Sequence, residues 1–485
     1  MLLTLLTALY VVCAILLSTY ALGAFILIIS YWRHRHDTVE TPQVTEWPTV
    51  TVQLPLYNEQ YVVRRLIDAV ASLDYPREKL SIQVLDDSTD ETVGIVAARV
   101  AALARTGLDI QHIQRENRTG FKAGALAYGL TLLDSEYVAV LDADFVPPVD
   151  FLRKTIPHMV ARPRLGMVQG RWGHLNDRSS LLTRGQAMAL DGHFVVEQTG
   201  RNRAGWLINF NGSGGIWRTQ AIHDAGGWTD ETLTEDLDLS YRAQLKGWQF
   251  LYLPDVVVPG ELPPDLAGYK QQQARWAKGG TQCMVLLLRR IWRSPDLRLA
   301  QRLMATAHLC QYMNAPLMII LLLLTPPLMV LTRMDMPIGV LGMAGLGPPL
   351  LYALSQRALY PDWKRRFLHF PALMGIGTGL AWNNCRAVLS GLFTKRGEFK
   401  RTPKYAFNAG MRSSYRLHAD KSILVEAAFA LYALVGAMLA LRYNPSFVLY
   451  LLIYAYAFGL VALGGIAESI RVERKAQHDA MTLRP

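Results

Sequence analysis

Tyr137-Val138-Ala139-Val140-Leu141-Asp142-Ala143-Asp144 runs through five apolar residues and stops at two carboxylates. A run of that length, ended by polar residues, reads as a strand. Thr49–Leu54, Ser81–Leu85 and Asp109–Gln114 read the same way, and helical patterns over Glu59–Ser72, Glu91–Arg105 and Gly120–Leu133 lie between them. Repeated strand–helix–strand units give an α/β domain with a mainly parallel sheet. Ligands of such sheets sit beyond the carboxyl ends of the strands. Asn58-Glu59, Asp86-Asp87 and Asp142–Asp144 all fall there, so three separate segments are expected to meet in one crevice.

Outside this region the 485-residue chain is strongly apolar: 51% of it is hydrophobic and 18% charged. A membrane-crossing helix needs about 20 largely apolar residues. Leu2–Tyr31, Leu303–Leu331, Pro337–Leu354, Ile423–Leu441 and Phe447–Ile466 all qualify. Leu2–Tyr31 is too long, and lacks the leading basic region, for a cleaved signal peptide, so it reads as an anchor. The formal net charge of +11 follows from basic flanks on the cytoplasmic side: Tyr31–His36, Trp363–Arg366 and Arg471–Lys475. The soluble part has no basic stripe with interleaved aromatics, which argues against nucleic acid. Cys13, Cys283, Cys310 and Cys385 are scattered and suit neither a zinc site nor a disulfide framework.

The expected organisation is a transmembrane helix over 1–32, the α/β domain over 45–262 and interfacial helices over 263–300. A transmembrane hairpin over 301–355 follows, then an interfacial or re-entrant segment with a basic loop over 362–420. A second hairpin over 421–468 and a cytoplasmic tail over 469–485 complete the chain. His369–Phe393 is treated as re-entrant because spanning would put its basic neighbours on opposite sides.

The chemistry concentrates in four places. Asp142 and Asp144 supply hard oxygens that suit Mg²⁺ or Mn²⁺ bridging two phosphates. Asp86 and Asp87 suit hydrogen bonds to a nucleotide base, and Asp90 a helix cap. Thr234-Glu235-Asp236 opens a helical run just after Asn211-Gly212-Ser213-Gly214-Gly215, where backbone can approach a sugar closely. A carboxylate there can act as general base, and Asp236 is preferred over Glu235 and Asp238. In Gln272-x-x-Arg275-Trp276, Arg275 can make charge-assisted bonds to a diphosphate and Trp276 offers a flat face to a sugar ring. Lys122 is either a second phosphate ligand or a solvated surface lysine. His308, Gln311 and Asn314 recur every three residues in an apolar segment, as one arc of a helix would. They read either as interhelical hydrogen bonds or as the lining of a wet path.

This set resembles the processive glycosyltransferases of family 2, the group of cellulose, mannan, chitin and hyaluronan synthases. The matching stretches are Gln53–Glu59, Val84–Asp90, Phe121–Leu126, Asp142–Pro147, Thr234–Leu239 and Gln272–Trp276, and Gln83–Asp90 is most similar to mannan-synthase-like proteins. Phe399-x-x-Thr402-x-Lys404 is similar to the gating loop of cellulose synthases, with Arg401 where Val is usual.

The resemblance implies a GT-A fold on the cytoplasmic face of an inner or plasma membrane, a nucleotide-sugar donor (UDP-glucose or GDP-mannose) and a divalent metal. It also implies a β-linked glycan passed through the protein's own helices. It gives Asn58, Glu59, Asp86, Asp87, Lys122, Asp142, Gln272 and Arg275 to the donor, and Asp144 with Asp142 to the metal. Asp236 becomes the base, Trp276 and Glu235 face the acceptor, and Phe399, Thr402 and Lys404 form the gate. Partners are then the donor, a growing glycan or lipid acceptor, and membrane lipids, with accessory export subunits left open. The short stretch after the last span gives no reason to expect control by a cyclic dinucleotide. Two other readings share these residues: single transfer to a lipid, as in ceramide glucosyltransferases, and a transporter with an inactive transferase domain.

Overall fold

The structure, a computed structural model, describes residues 1–332, 345–394, 404 and 422–482. The first half contains α1 (Leu2–His34), β1 (Val50–Leu56), α2 (Val63–Ala71), β2 (Leu80–Asp86), α3 (Thr92–Ala104), β3 (Asp109–Ile113), α4 (Phe121–Leu130), β4 (Tyr137–Val140), α5 (Phe151–Ala161) and β5 (Leu165–His174). Then come α6 (Leu181–Asp191), a π-helix (Gly192–Gln198), α7 (Thr199–Arg203), β6 (Gly215–Arg218), α8 (Thr219–Asp224), α9 (Glu235–Leu245) and β7 (Gln249–Gly260).

The seven strands form one sheet in the order β3-β2-β1-β4-β6-β5-β7. Its pairs are parallel except those made by β6, which runs antiparallel to β4 and β5. Val50, Val52 and Leu54 of β1 are wholly buried, as a strand covered on both faces requires. One face packs on α2, α3 and α5 through Leu66, Ile67, Val96 and Ile156. The other packs on α4, α8 and α9 through Leu126, Ile222 and Leu239. The β1–β2 register, Val50↔Leu80 to Leu56↔Asp86, brings Asp86 level with the end of β1. Asp142 lies two residues past the end of β4, after Leu141.

The other described residues are mainly helical. α10 (Leu266–Arg293) is followed by α11 (Leu299–Leu309), α12 (Asn314–Thr332), α13 (Gly347–Leu359), α14 (Trp363–Phe367), α15 (Phe370–Gly379), α16 (Ala381–Phe393), α17 (Ser422–Tyr443) and α18 (Val448–Thr482). Among the described residues four helical stretches are long and apolar enough to cross a membrane: Leu2–His34, Gln311–Thr332, Ser422–Tyr443 and Pro445–Arg471. Pro337–Leu354 falls partly outside the described residues. His369–Phe393 is divided at Leu380 into two helices of 10 and 13 residues, each short of a crossing.

One expectation is corrected. Leu303–Leu331 is not one helix, because it breaks into a 3-10 turn at Gln311–Met313 between α11 and α12. His308 therefore does not share an arc with Gln311 and Asn314. It is buried, and its Nδ1 lies 2.8 Å from the hydroxyl of Tyr241 on α9.

α10 is pinned to the apolar helices α17 and α18 at its first turns. Asp265 caps Gly268 N–H at 2.6 Å, and Glu468 of α18 accepts from Leu266 N–H at 3.1 Å. Lys270 Nζ donates to Glu426 of α17 at 2.5 Å and to Ser422 at 2.9 Å, and Asn383 of α16 donates to the Lys270 carbonyl at 3.0 Å. Glu426 is wholly buried. Removing one partner of a buried ion pair strands the other charge, at a cost of about 3–5 kcal/mol. Glu426→Leu should therefore lower the unfolding temperature of the solubilised chain sharply, and adding Lys270→Met should restore most of the loss. A double variant as unstable as the single one would contradict the pairing.

Candidate active site

Asn58, two residues past the end of β1, has φ 56, a left-handed backbone that asparagine tolerates better than most residues. That turn lets Asn58 N–H donate to Ser88 Oγ at 2.8 Å while its Oδ1 accepts from Thr89 N–H at 2.8 Å, which ties the ends of β1 and β2 together. Asp87 is clamped by Arg115 at 2.9 and 2.5 Å. Asp86 turns the other way. Its oxygens take Ser88 N–H at 3.0 Å and His112 Nε2 at 2.9 Å, and its side chain is 0% exposed. In this structure Asp86 supports the wall, while Asp87 faces the chamber.

The chamber has about 1230 Å³ of space, including its open mouth. Its lining includes Glu59, Asp87, Lys122, Asp142, Asp144, Glu235, Asp236, Gln272, Arg275, Trp276 and Lys404. Phe399 and Thr402 lie outside the described residues, and Asn58 borders the chamber through its neighbours Tyr57 and Glu59.

Electrostatics organises the floor. Lys122, in the first turn of α4, lies 2.7 Å from Asp142 Oδ1 and 3.5 Å from Glu235 Oε1, and donates to the Gly212 carbonyl at 2.8 Å. Burial pulls its ammonium down, but Asp142, Glu235 and Asp236 more than offset this and hold it above its ordinary value. Burial likewise opposes ionisation of Asp142, yet Lys122, Lys404 and Arg275 together hold its carboxyl below the usual range. Lys404 makes an ion pair with Asp144.

Asp236 is compensated least. Burial, and then the neighbouring Glu235, push it up to about 7 against the pull of Lys122, Leu237 N–H and Arg275. Asp238, two residues on, is unavailable: it pairs with Arg242 at 2.7 Å, accepts from Thr229 at 2.9 Å, and its side chain is 1% exposed.

No three His, Cys, Asp or Glu side chains gather into a metal-binding group among the described residues. Asp142 and Asp144 nevertheless suit a hard divalent cation. Each carries a lysine ammonium here, so the pair calls for positive charge, and two protein oxygens leave positions for phosphate oxygens.

Several lining residues gave little sign of themselves in the sequence. Glu261 follows β7 and pairs with Arg65 at 3.1 Å. Arg118 lies 3.3 Å over the Tyr57 ring. Trp172 donates to the Ser213 carbonyl at 2.9 Å and meets Phe145 edge-on at 4.9 Å. Behind the lining residue Asn211, His193 of the π-helix meets its Oδ1 at 3.1 Å. Only the glycine-rich run at 211–215 could have pointed to any of them.

Residues 48–279 match the family model described as glycosyltransferase like family 2. Glucomannan 4-beta-mannosyltransferase 2 of Arabidopsis thaliana is 44% identical over 267 residues, covering 54% of this chain and 50% of that protein. Glucomannan 4-beta-mannosyltransferase 1 of Cyamopsis tetragonoloba is 41% identical over 271 residues, covering 53% and 52%. The chain thus spans about half the length of the curated relatives it matches. Among solved structures, the mannosyltransferase PcManGT of Pyrobaculum calidifontis, in complex with GDP-Man and Mn²⁺, aligns over 79% of this chain and 99% of its own. At a TM-score of 0.52 and 21% identity it shows the shared GT-A fold.

Gly212 offers a test of this geometry. Its φ is +84, and a Cβ there would sit 2.9 Å from Asp236 Oδ2. Gly212→Ala should abolish most turnover, while the strain of an alanine at positive φ lowers the unfolding temperature by only a few degrees. Normal turnover would show that this backbone need not lie so close to Asp236.

Proposed function

We propose that this chain, whose residues 48–279 form a family 2 glycosyltransferase domain, is a membrane-embedded inverting transferase. It moves mannose from GDP-mannose onto a growing β-linked glycan. The observation that carries the reading is the meeting of Asp142 and Asp144, Asp236, and Gln272, Arg275 and Trp276 in one chamber. The names of the relatives support mannose as the sugar.

Asp236 takes the proton of the acceptor hydroxyl as that oxygen attacks the anomeric carbon. A carbon–oxygen bond forms on one face while the bond to the diphosphate breaks on the other, and the nucleoside diphosphate leaves with the electron pair. Arg275 and Lys404 face the same chamber and can make charge-assisted bonds to the diphosphate. Trp276 offers the acceptor sugar a flat apolar face, with Glu235 beside it. Asp142 and Asp144 would hold Mn²⁺ or Mg²⁺, which supplies charge neutralisation to the diphosphate. Asp87 and Arg118 border the part of the chamber suited to the nucleotide.

Basic residues Arg33 and Arg35 end α1 on the side of the transferase domain. This supports a cytoplasmic domain on an inner or plasma membrane. The glycan is proposed to leave past Gln311, Tyr312 and Asn314, which are partly exposed where α11 gives way to α12. Tyr312 lies against Gly280 of α10 there.

Asp236→Asn keeps the shape and removes the base, so turnover should fall by about 10²–10⁴ while donor binding is retained. Near-normal turnover would sink the reading. The acid limb gives a second check. A base acts deprotonated, so activity should rise with pH through about 7, the value to which burial and Glu235 bring Asp236. Glu235→Gln removes one of those causes and should move the limb to lower pH. A limb that stays in place would remove Glu235 from this role.

A further inference from the structure

A second recess, with about 680 Å³ of space including its mouth, lies between the β5–α6 connection and the α14–α15 turn. Arg178 and Arg184 reach it from the transferase domain, and Arg365 and Arg366 from α14, nearly 200 residues later. Arg366 is accounted for: it pairs with Asp177 at 3.1 Å and Asp362 at 3.5 Å and lies 3.6 Å over the Tyr360 ring. Arg178, Arg184 and Arg365 are exposed, and none meets a carboxylate among the described residues. Arg184 instead donates to His369 Nε2 at 3.0 Å. Partial burial, then Arg184, Arg366 and Arg365, hold His369 below its ordinary value, so the ring accepts that bond as neutral imidazole. The two carboxylates of the recess both serve Arg366, so the other three guanidinium groups face it uncompensated. Positive charge focused in a concave site attracts an anion.

The recess sits at the level where α1 leaves its apolar stretch. Gly347 at the start of α13 abuts Ala21 and Ala24 of α1, and Leu351 packs with Ile28 and Tyr31. α13 therefore runs in the same direction as α1, so α14, which follows it, begins at about the level of the α1 turn with Trp32, Arg33 and His34. Leu181 and Leu368, next in sequence to recess-bordering segments, are 49% and 75% exposed. A free anion gives no reason for bare leucines, whereas acyl chains do. We propose that this recess binds the phosphate of an anionic phospholipid headgroup, with Arg178, Arg184 and Arg365 as its ligands and Leu181 and Leu368 turned to the acyl layer. The proposal rests on the membrane placement of α1 and not on the transferase chemistry.

The test measures the unfolding temperature of the full chain in neutral detergent against added phosphatidylglycerol, phosphatidylcholine or inorganic phosphate. Phosphatidylglycerol should raise it saturably, and the other two should not. Arg184→Gln with Arg365→Gln should weaken the midpoint about 30-fold, at roughly one basic-residue contribution per guanidinium. Arg33→Gln with Lys364→Gln, an equal loss of charge outside the recess, should leave the midpoint in place. If the recess pair lowers stability without lipid, Arg178→Gln alone serves in its stead, with a shift of about fivefold. Equal weakening by the recess and control variants would show diffuse attraction and overturn the site. An equal rise with inorganic phosphate would overturn the lipid as its occupant.

Discussion

Three carboxylates, Asp142, Glu235 and Asp236, crowd around the ammonium of Lys122. Like charges at such range cannot all ionise in a buried site without a cation among them. The arrangement therefore fixes three elements at once: the end of β4, the first turn of α4 and the first turn of α9. The Gly212 carbonyl is drawn to the same ammonium, which brings the glycine-rich loop down onto Asp236. The compensation is uneven. Asp142 shares Lys122, Lys404 and Arg275 and stays ionised, while Asp236 is left close to neutrality. One carboxylate is thus suited to holding positive charge and another to accepting a proton.

α10 links this centre to the apolar helices α16, α17 and α18. Glycines on both sides let it lie flush on its neighbours: a Cβ at its own Gly279 would strike Thr234, just before Glu235, and one at Gly391 of α16 would strike Lys278 and Thr281. Its first turns are held by Glu426 and Glu468 from α17 and α18. The helix that carries Gln272, Arg275 and Trp276 is therefore positioned as much by these apolar helices as by the sheet domain. A shift of the α17–α18 hairpin would be felt directly at those three side chains.

What could be read in advance follows from physical range. β4 was legible as an unbroken apolar run because both of its faces are buried, and β1 and β2 as short β-branched and apolar runs whose interrupting polar residues pair with each other, Thr51 with Ser81 and Gln53 with Gln83. β5 and β7 were not, because Gly166, Gly170 and Gly173 interrupt one and Pro254 and Pro259 the other, and β6 has only four residues. The acidic clusters stood out by their place at strand ends, but the partners that sort their roles are remote. Asp86 turns to His112 and Lys122 reaches Asp142 and Glu235, and no local pattern announces either contact. Asp238 was separable in principle, since Arg242 stands one helical turn on. The break at Gln311–Met313 had a local sign in Pro316, which lacks the N–H that the Tyr312 carbonyl would accept in an unbroken helix. The bond from His308 to Tyr241 and the packing of α11 on α10 then hold the first segment apart from the second.

The central claim is polymerisation of mannose by these residues acting together. The most direct measurement supplies the purified chain in lipid nanodiscs with radiolabelled GDP-mannose and Mn²⁺, sizes the product, and digests it with an endo-β-mannanase. The account predicts a labelled polymer that the enzyme degrades and that does not form from UDP-glucose alone. Label confined to a single-sugar lipid, or to free mannose, would contradict it.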